Sequence, residues 1–315
     1  MSMALTFPGQ GSQAVGMGKI LAAEFSVARS VFAEVDESLG QKLSHLMFDG
    51  PEDELTLTAN AQPALMAVSI ATLRVLEKEA GLNLQQHVSY VAGHSLGEYS
   101  GLAAAGSLTL ADTARLLRIR GNAMQAAVAP GAGAMAALLG LDFAAAADIA
   151  AEAASGEVCQ AANDNGGGQV VVSGAKAAVE RAVELAKARG ARRAVMLSVS
   201  APFHCALMQP AADAMAEALA KVNFLAPLVP LVGNVAAVAG SDPDALREAL
   251  VRQVTGTVRW RESIEWMAGH GVNRFIEVGS GKVLTGLVKR IAAEAEGIAV
   301  SSPDDISAFA QYLNL

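Results

Sequence analysis

Residues Val88–Gly106 read VSYVAGHSLGEYSGLAAAG. The stretch opens on a short β-type run, Val88–Val91. It turns through Gly93-His94-Ser95-Leu96-Gly97 and continues into a small-residue helix that stops at Gly106. A Gly-x-Ser-x-Gly turn between a strand and a helix is the setting of a nucleophile elbow. The reason is steric. A serine at the tip of so sharp a corner needs neighbours without bulk, and Gly93 and Gly97 let strand and helix approach. The corner also lies at a helix N-terminus, where unpaired N–H groups favour negative charge. The same five residues can arise by chance as a plain turn; the strand before and the helix after favour a nucleophilic Ser95.

The chain has 315 residues, enough for one large domain or two modest ones. With 52% hydrophobic and 17% charged residues, it can bury a sizeable core and is not of the disordered class. A net charge of −8 without long Lys/Arg runs argues against general nucleic-acid binding. Any acidic macromolecular partner would need a local basic patch. The N-terminal MSMALTF lacks a basic segment followed by a long apolar run, so no signal peptide is expected. No apolar stretch reaches the roughly 18 residues of a membrane span. Cys159 and Cys205 have neither metal-type spacing nor a disulfide framework, and read as buried thiols in a reducing cytoplasm.

Outward from the elbow, Ala4–Phe7 reads as a first buried strand, followed by Pro8-Gly9-Gln10-Gly11-Ser12 and a helix near Met17–Phe25. Gly9, Gly11 and Gly16 do not fit Gly-x-Gly-x-x-Gly, so a dinucleotide cradle is not expected. The loop instead brings backbone N–H groups and the Gln10 amide beside the strand end. Glu24–Leu46 reads as one amphipathic helix, Thr58–Ala80 as a long one stopped by Gly81. Thr109 and Asp112 form a capping box for a helix over Thr109–Val128.

On a wheel of about 100° per residue, Arg115, Arg118, Asn122 and Gln125 share a polar face. Arg120 falls on the opposite side, among Leu116, Leu117, Ala123 and Met124. A guanidinium there is costly unless an anion meets it. Either a carboxylate of the chain pairs with it, or it awaits a carboxylate on a substrate, for which its planar fork is suited.

Composition shifts at Pro130-Gly131-Ala132-Gly133. Strand-like Met135–Leu139, Val158–Ala162, Gln169–Ser173 and Ala194–Val199 alternate with helical Phe143–Ala154 and Ala175–Arg189. This β-α-β-β-α-β order is the ferredoxin-like pattern and predicts a small domain, residues 130–199, inserted into a larger one, residues 1–129 and 200–315. Ser200-Ala201-Pro202-Phe203-His204 returns the chain to the large domain. Beyond it come helices over Gln209–Val222, Asp244–Gln253 and Arg261–Ala268, and strands over Pro227–Val232 and Phe275–Val278. Gly279-Ser280-Gly281-Lys282 is not a P-loop: Val283 stands where Ser or Thr would hold magnesium.

A serine needs a base. Of the five histidines, His94 abuts Ser95 and its side chain diverges from it, so it braces the corner. His45, His87 and His270 sit in polar or turn-like contexts and read as surface. His204 follows a strand and the rigid Ala201-Pro202 pair, and comes after the serine as in α/β-hydrolase sheets. It is either the base or an ordinary buried histidine. No Asp stands out as a third member.

Several blocks together resemble the malonyl-CoA:acyl-carrier-protein transacylase family and the related acyltransferase domains of polyketide synthases. They are Phe7-Pro8-Gly9-Gln10-Gly11-Ser12-Gln13, Gln62-Pro63-Ala64-Leu65, Gly93-His94-Ser95-Leu96-Gly97-Glu98, Arg120-Gly121 with Met124-Gln125, Gln169-Val170-Val171 with Ser173-Gly174, Ser200-Ala201-Pro202-Phe203-His204, Trp260, and Glu277-Val278-Gly279 with Gly281. They span nearly the whole chain in order. The resemblance implies an α/β-hydrolase-like large domain with a ferredoxin-like insert, in agreement with the pattern above. It implies that Ser95 is acylated, that His204 is its base and that Arg120 binds the free malonyl carboxylate. It further implies an oxyanion hole from the N–H groups of Leu96 and Gln10, and a backbone carbonyl near Gln253 orienting the histidine. Asn163 matches an asparagine lining the cleft. Phe203 before the histidine goes with malonyl rather than methylmalonyl in polyketide acyltransferases. Gly166-Gly167-Gly168 departs from the family's Pro-Gly approach to Gln169, which puts the rigidity of that loop in doubt.

The implied reaction moves malonyl from malonyl-CoA to the phosphopantetheine thiol of acyl carrier protein for fatty acid synthesis in the cytoplasm, with no cofactor, no metal and no membrane. A monomer is expected, since no long exposed apolar helix asks for a partner. Lys187, Arg189, Arg192 and Arg193 form one candidate patch for an acidic carrier, and Lys282, Lys289 and Arg290 another. The rivals are a serine thioesterase, a non-catalytic carrier-docking module, and the same chemistry serving a polyketide or malonate decarboxylase system.

Overall fold

The strand before the elbow and the strand at the N-terminus are apolar on both faces, which is what a parallel sheet covered on both sides requires. The computed structural model, which describes residues 2–313, places them side by side. β1 (Ser2–Phe7) pairs in parallel with β2 (Val88–Gly93). In chain order the remaining strands are β3 (Gly133–Leu139), β4 (Cys159–Asp164), β5 (Gln169–Ala175), β6 (Arg193–Met196), β7 (Leu231–Val232), β8 (Ala239–Gly240), β9 (Val272–Val278) and β10 (Glu296–Val300).

Six of them form one sheet in the order β10-β9-β1-β2-β7-β8, parallel except for the β8 edge, which pairs antiparallel with β7. Alternate residues go to opposite faces. Leu5, Phe7 and Val91 enter the larger core with Leu65, Val68 and Leu102. Ala4, Ala92 and Phe275 enter a second core with Trp260, Ile264 and Met267.

The other four strands form an antiparallel sheet, β4-β5-β3-β6. One face packs on the Phe143–Ala154 and Lys176–Ala188 helices through small side chains such as Ala136, Ala146, Ala150, Ala178 and Ala182. The other face belongs elsewhere: Met135 and Val171, offset by one residue from Ala136 and Val172, join the large core. The chain is thus mixed α/β, with its β-α-β-β-α-β stretch resting on the parallel-sheet half.

Several boundaries differ from the sequence reading. Glu24–Leu46 is not one helix: Ser26–Leu39 ends at Gly40, whose φ of 58° is left-handed, and Leu43–Asp49 starts anew. The Pro227–Val232 strand shrinks to Leu231–Val232. β10 and the Pro303–Leu313 helix were not expected at all. The capping box is present, with the Asp112 N–H donating to Thr109 Oγ1 at 3.0 Å. Gly166, Gly167 and Gly168 all take positive φ, and a side chain at Gly166 would meet Ile291 at 2.4 Å, so this loop is a tightly packed turn. Both cysteines are free and buried. Among the described residues no helix is long and apolar enough to cross a membrane.

Candidate active site

The corner at Ser95 is as crowded as its glycines suggest. A Cβ on Gly93 would lie 1.9 Å from the backbone of Gly97, and one on Gly97 would lie 2.2 Å from the Phe7 carbonyl oxygen. Ser95 itself has φ 54°, a left-handed conformation that a serine keeps only when its surroundings enforce it. Two amides do so. The Ser95 N–H donates to Asn234 Oδ1 at 2.8 Å, and Asn234 Nδ2 donates to the Gly93 carbonyl at 2.7 Å. Gln253 Nε2 donates to the Ser95 carbonyl at 2.8 Å.

His204, 109 residues further along the chain, stands with Nε2 2.7 Å from Ser95 Oγ. Its Nδ1 is 2.9 Å from the Gln253 carbonyl oxygen. A carbonyl can only accept, so Nδ1 carries the proton and Nε2 presents its lone pair to the serine hydroxyl. Burial, and then the nearby Arg120 charge, push the His204 pKa down to about 3. The imidazole is therefore neutral and ready to accept a proton at neutral pH. His94 turns away: its Nε2 meets Asn165 Oδ1 at 2.9 Å, tying the corner to the loop after β4.

Arg120 is 1% exposed. Nη1 donates to Gln62 Oε1 at 2.7 Å, and Nη2 to Gln253 Oε1 at 2.9 Å and to Ser95 Oγ at 3.2 Å. Its guanidinium carbon lies 5.7 Å from the centre of the Tyr99 ring, and Nε has no hydrogen-bond partner among the described residues. Among the described residues no carboxylate forms an ion pair with it. Of the two readings of the buried arginine, the one with an internal salt bridge is therefore not what the fold contains. Burial lowers its pKa, against the opposing influence of Tyr99 and Glu98.

A cavity of about 400 Å³ opens in front of these groups, between the two sheets. Ser95, Arg120 and His204 line it, and so do Gln10, Leu96, Asn163 and Phe203. The Gln10 side chain is committed to Thr58, its Nε2 lying 2.9 Å from Thr58 Oγ1. The backbone N–H groups of Gln10 and Leu96 donate to no protein acceptor among the described residues. Asn163 sits at an irregularity in the β4–β5 pairing and bridges to Val258. Gln253, by contrast, lies behind the cavity wall, fully buried on the Pro243–Thr255 helix.

Nothing in the sequence marks Asn234, which lies in the turn between two-residue strands. Glu98 could have been noticed as an acid in an otherwise apolar helix turn, one turn after the serine. It is 1% exposed, and its Oε2 accepts from Gln253 Nε2 at 2.8 Å and from the Asn234 N–H at 3.1 Å.

A sequence profile of the acyl transferase domain matches residues 5–302. The malonyl CoA-acyl carrier protein transacylase of Escherichia coli K12 is 48% identical over 305 residues, 97% of each chain. Its Bacillus subtilis counterpart is 46% identical over 312 residues, 99% of this chain and 97% of that one. An acyl-carrier-protein S-malonyltransferase from Bartonella henselae superposes over all of both chains with a TM-score of 0.98 at 59% identity. A malonyl-transacylase solved in complex with a type II polyketide synthase acyl-carrier protein superposes with a TM-score of 0.95 at 43% identity, covering 99% of this chain and 100% of that one. The match takes in the serine corner, the antiparallel stretch and the returning histidine loop alike, and this chain belongs to the acyl transferase family.

Proposed function

We propose that the protein transfers the malonyl group from malonyl-CoA to the phosphopantetheine thiol of an acyl carrier protein, supplying fatty acid synthesis. The observation that carries this reading is Arg120. A buried cationic fork without a carboxylate of its own, 3.2 Å from the serine hydroxyl, fits an acyl group that ends in a carboxylate. A thioesterase for uncharged acyl chains would have no use for it.

Malonyl enters with its carboxylate on Arg120 and its thioester carbon at Ser95 Oγ. The hydroxyl proton passes to His204 Nε2 as the oxygen–carbon bond forms. The developing oxyanion is met by the N–H groups of Leu96 and Gln10, each such donor being worth about 3–4 kcal/mol in comparable sites. The carbon–sulfur bond breaks, and His204 returns the proton to the departing coenzyme A thiolate. A carrier thiol then gives its proton to His204, attacks the malonyl ester and leaves Ser95 protonated again. This chemistry needs no metal or redox cofactor. Asn163 and Phe203 border the acyl end, and Phe203 narrows the space for an α-substituent.

In this reading residues 1–129 and 200–315 form an α/β-hydrolase-like catalytic domain. Residues 130–199 form a ferredoxin-like insert, whose sheet order β4-β5-β3-β6 supports the assignment. The protein acts as a monomer in the cytoplasm, in keeping with its two free buried thiols. The carrier docks on Lys282, Lys289 and Arg290. None of the three is in an ion pair among the described residues, and Val283, Leu284 and Leu287 between them line the cavity. Lys187 and Arg189 of the other patch are already paired with Glu184 and Glu152.

The test is intact-protein mass spectrometry after mixing with malonyl-CoA. A malonyl adduct is expected on Ser95 and absent from Ser95→Ala, and a carrier protein should remove it far faster than water does. An unmodified protein, or an adduct lost equally fast to water, refutes the reading. A fatty-acid and a polyketide carrier compared in the second step separate the two destinations, since a relative has been solved with a polyketide carrier.

A further inference from the structure

Three groups that act at the cavity are held by one residue that does not reach it, one through its main-chain carbonyl and two through its side-chain amide. Gln253 gives its carbonyl to His204 Nδ1 at 2.9 Å, its Oε1 to Arg120 Nη2 at 2.9 Å and its Nε2 to the Ser95 carbonyl at 2.8 Å. A side-chain amide turned over would aim its NH₂ at the guanidinium and its oxygen at the Ser95 carbonyl and lose both of those bonds, while the main-chain contact to His204 would remain. Arg120, which only donates, and the Ser95 carbonyl, which only accepts, favour this orientation, and an acceptor on the Nε2 side secures it further. Among the described residues, the one side chain on the donor end that accepts without also donating is Glu98, whose Oε2 lies 2.8 Å from Gln253 Nε2. The same oxygen accepts at 3.1 Å from the N–H of Asn234, and Asn234 holds both Gly93 and Ser95.

We propose that Glu98 is a positioning residue: its ionised carboxylate, acting through the side chain of Gln253 and through Asn234, sets the working geometry of Ser95 and Arg120. It touches no substrate. It lies in the first turn of the Gly97–Ala104 helix, on the side of the corner away from the cavity, and is 1% exposed. A carboxylate whose one oxygen takes two N–H donors holds them best when ionised, since a protonated carboxyl is a weaker acceptor and brings a competing donor.

The charged and titratable groups around Glu98 are few. Arg120 faces it from the Leu110–Ala126 helix and Tyr99 follows it on its own helix. The Pro243–Thr255 helix and the β7–β8 turn present only the neutral Gln253 and Asn234. His204 lies beyond Gln253 and His94 beyond His204, and burial lowers the pKa of both, so neither gains a proton near neutrality. Burial raises the Glu98 pKa to about 7 against the pull of its hydrogen bonds and of Arg120. The sign follows directly. The holding form is the ionised one, so the rate of Ser95 acylation should fall as pH drops through that range, by about tenfold between pH 8 and pH 6. Burial and Arg120 push His204 the other way, so a limb from it would lie at lower pH and would persist in E98Q.

This inference rests on the proposed malonyl transfer, and its test keeps the two apart. Acylation of Ser95 is followed by quenched-flow mass spectrometry from pH 5.5 to 9. The donor is malonyl-N-acetylcysteamine, a thioester without the titrating phosphates of coenzyme A. Three proteins are compared: wild type, Glu98→Gln and Glu98→Leu. Wild type that forms no adduct sinks the malonyl reading itself. Given the adduct, the expected result is a tenfold limb in wild type and a flat profile in E98Q, whose amide oxygen accepts from the same two donors without titrating. E98Q should lie no more than about threefold below wild type at pH 8, with E98L at least thirtyfold below throughout. A merely structural acid would leave the shape of the profile unchanged. E98Q keeping the wild-type limb, E98Q inactive at every pH, or E98L as fast as wild type would each overturn the proposal. Should E98L fail to fold, the E98Q profile alone still decides.

Discussion

Replacing Arg120 by methionine removes the charge and the fork but keeps a flexible stem in the buried slot. Two unit charges about 4 Å apart at an effective dielectric of about 20 attract by about 4 kcal/mol. Deleting one partner of a buried, hydrogen-bonded pair costs about 3–5 kcal/mol, because the other charge is left stranded. At about 1.4 kcal/mol per decade, malonyl transfer to Ser95 should slow by roughly 150- to 4,000-fold. A neutral acyl group has no carboxylate to strand. For it the structure points the other way, since the Arg120 charge is, after burial, the main cause holding His204 down to about 3. Without that charge the imidazole is a stronger base, and acetyl transfer should stay level or rise. The assay is single-turnover acylation with paired malonyl and acetyl thioesters, read by mass spectrometry of Ser95. Arg120→Lys, which keeps charge without the fork, should fall between wild type and R120M for malonyl. Equal losses for both acyl groups would refute the assignment, because they would mean that Arg120 only supports Gln62 and Gln253, whose Oε1 atoms it satisfies.

The corner and the docking face give two further expectations. Gly93→Ala forces a carbon to within 1.9 Å of the Gly97 backbone and should cost more than about 4 kcal/mol, leaving little soluble protein. Gly269→Ala, with nothing within 4 Å of the added carbon, should melt like wild type, and a G93A protein that does the same would show the corner to be looser than described. Charge reversal at Lys289 and Arg290 should raise the carrier KM several-fold while acylation by a phosphate-free malonyl thioester is unchanged. If reversal at Arg192 and Arg193 has that effect instead, the carrier sits on the other patch.

Much of the parallel sheet could be read ahead because Ala4–Phe7, Val88–Val91 and Phe275–Val278 are short, mostly apolar runs of the kind a covered sheet requires. The antiparallel stretch could be read because its helices and strands alternate cleanly over some seventy residues. Arg120 was visible because a cation at a core position of an amphipathic helix has no cheap explanation. What escaped reading was set by distant pairing. Glu296–Val300 is short, and only its place beside β9 makes it a strand. β7 and β8 are two residues each, too brief for any periodicity. The helix break at Gly40 was hidden by an apolar pattern that resumes in phase at Leu43. Asn234 and Gln253 are amides, and an amide's role depends on which groups face its two ends. Local sequence does not encode that, and it emerges only when residues 139 and 158 positions away from Ser95 fold against it.

The contact between His204 and the peptide oxygen of residue 253 has a consequence for how such a site can be altered. Main-chain oxygens survive every amino-acid exchange, so no scan of single replacements can delete this acceptor, and position 253 will be scored only for its side chain. An aspartate in its place would have been simple to delete, yet it would have introduced a full negative charge within reach of the guanidinium. That internal anion would satisfy the slot meant for the incoming acid before any thioester arrived. A dipole steadies the imidazole without competing for the cation, which leaves the slot free for the incoming acid.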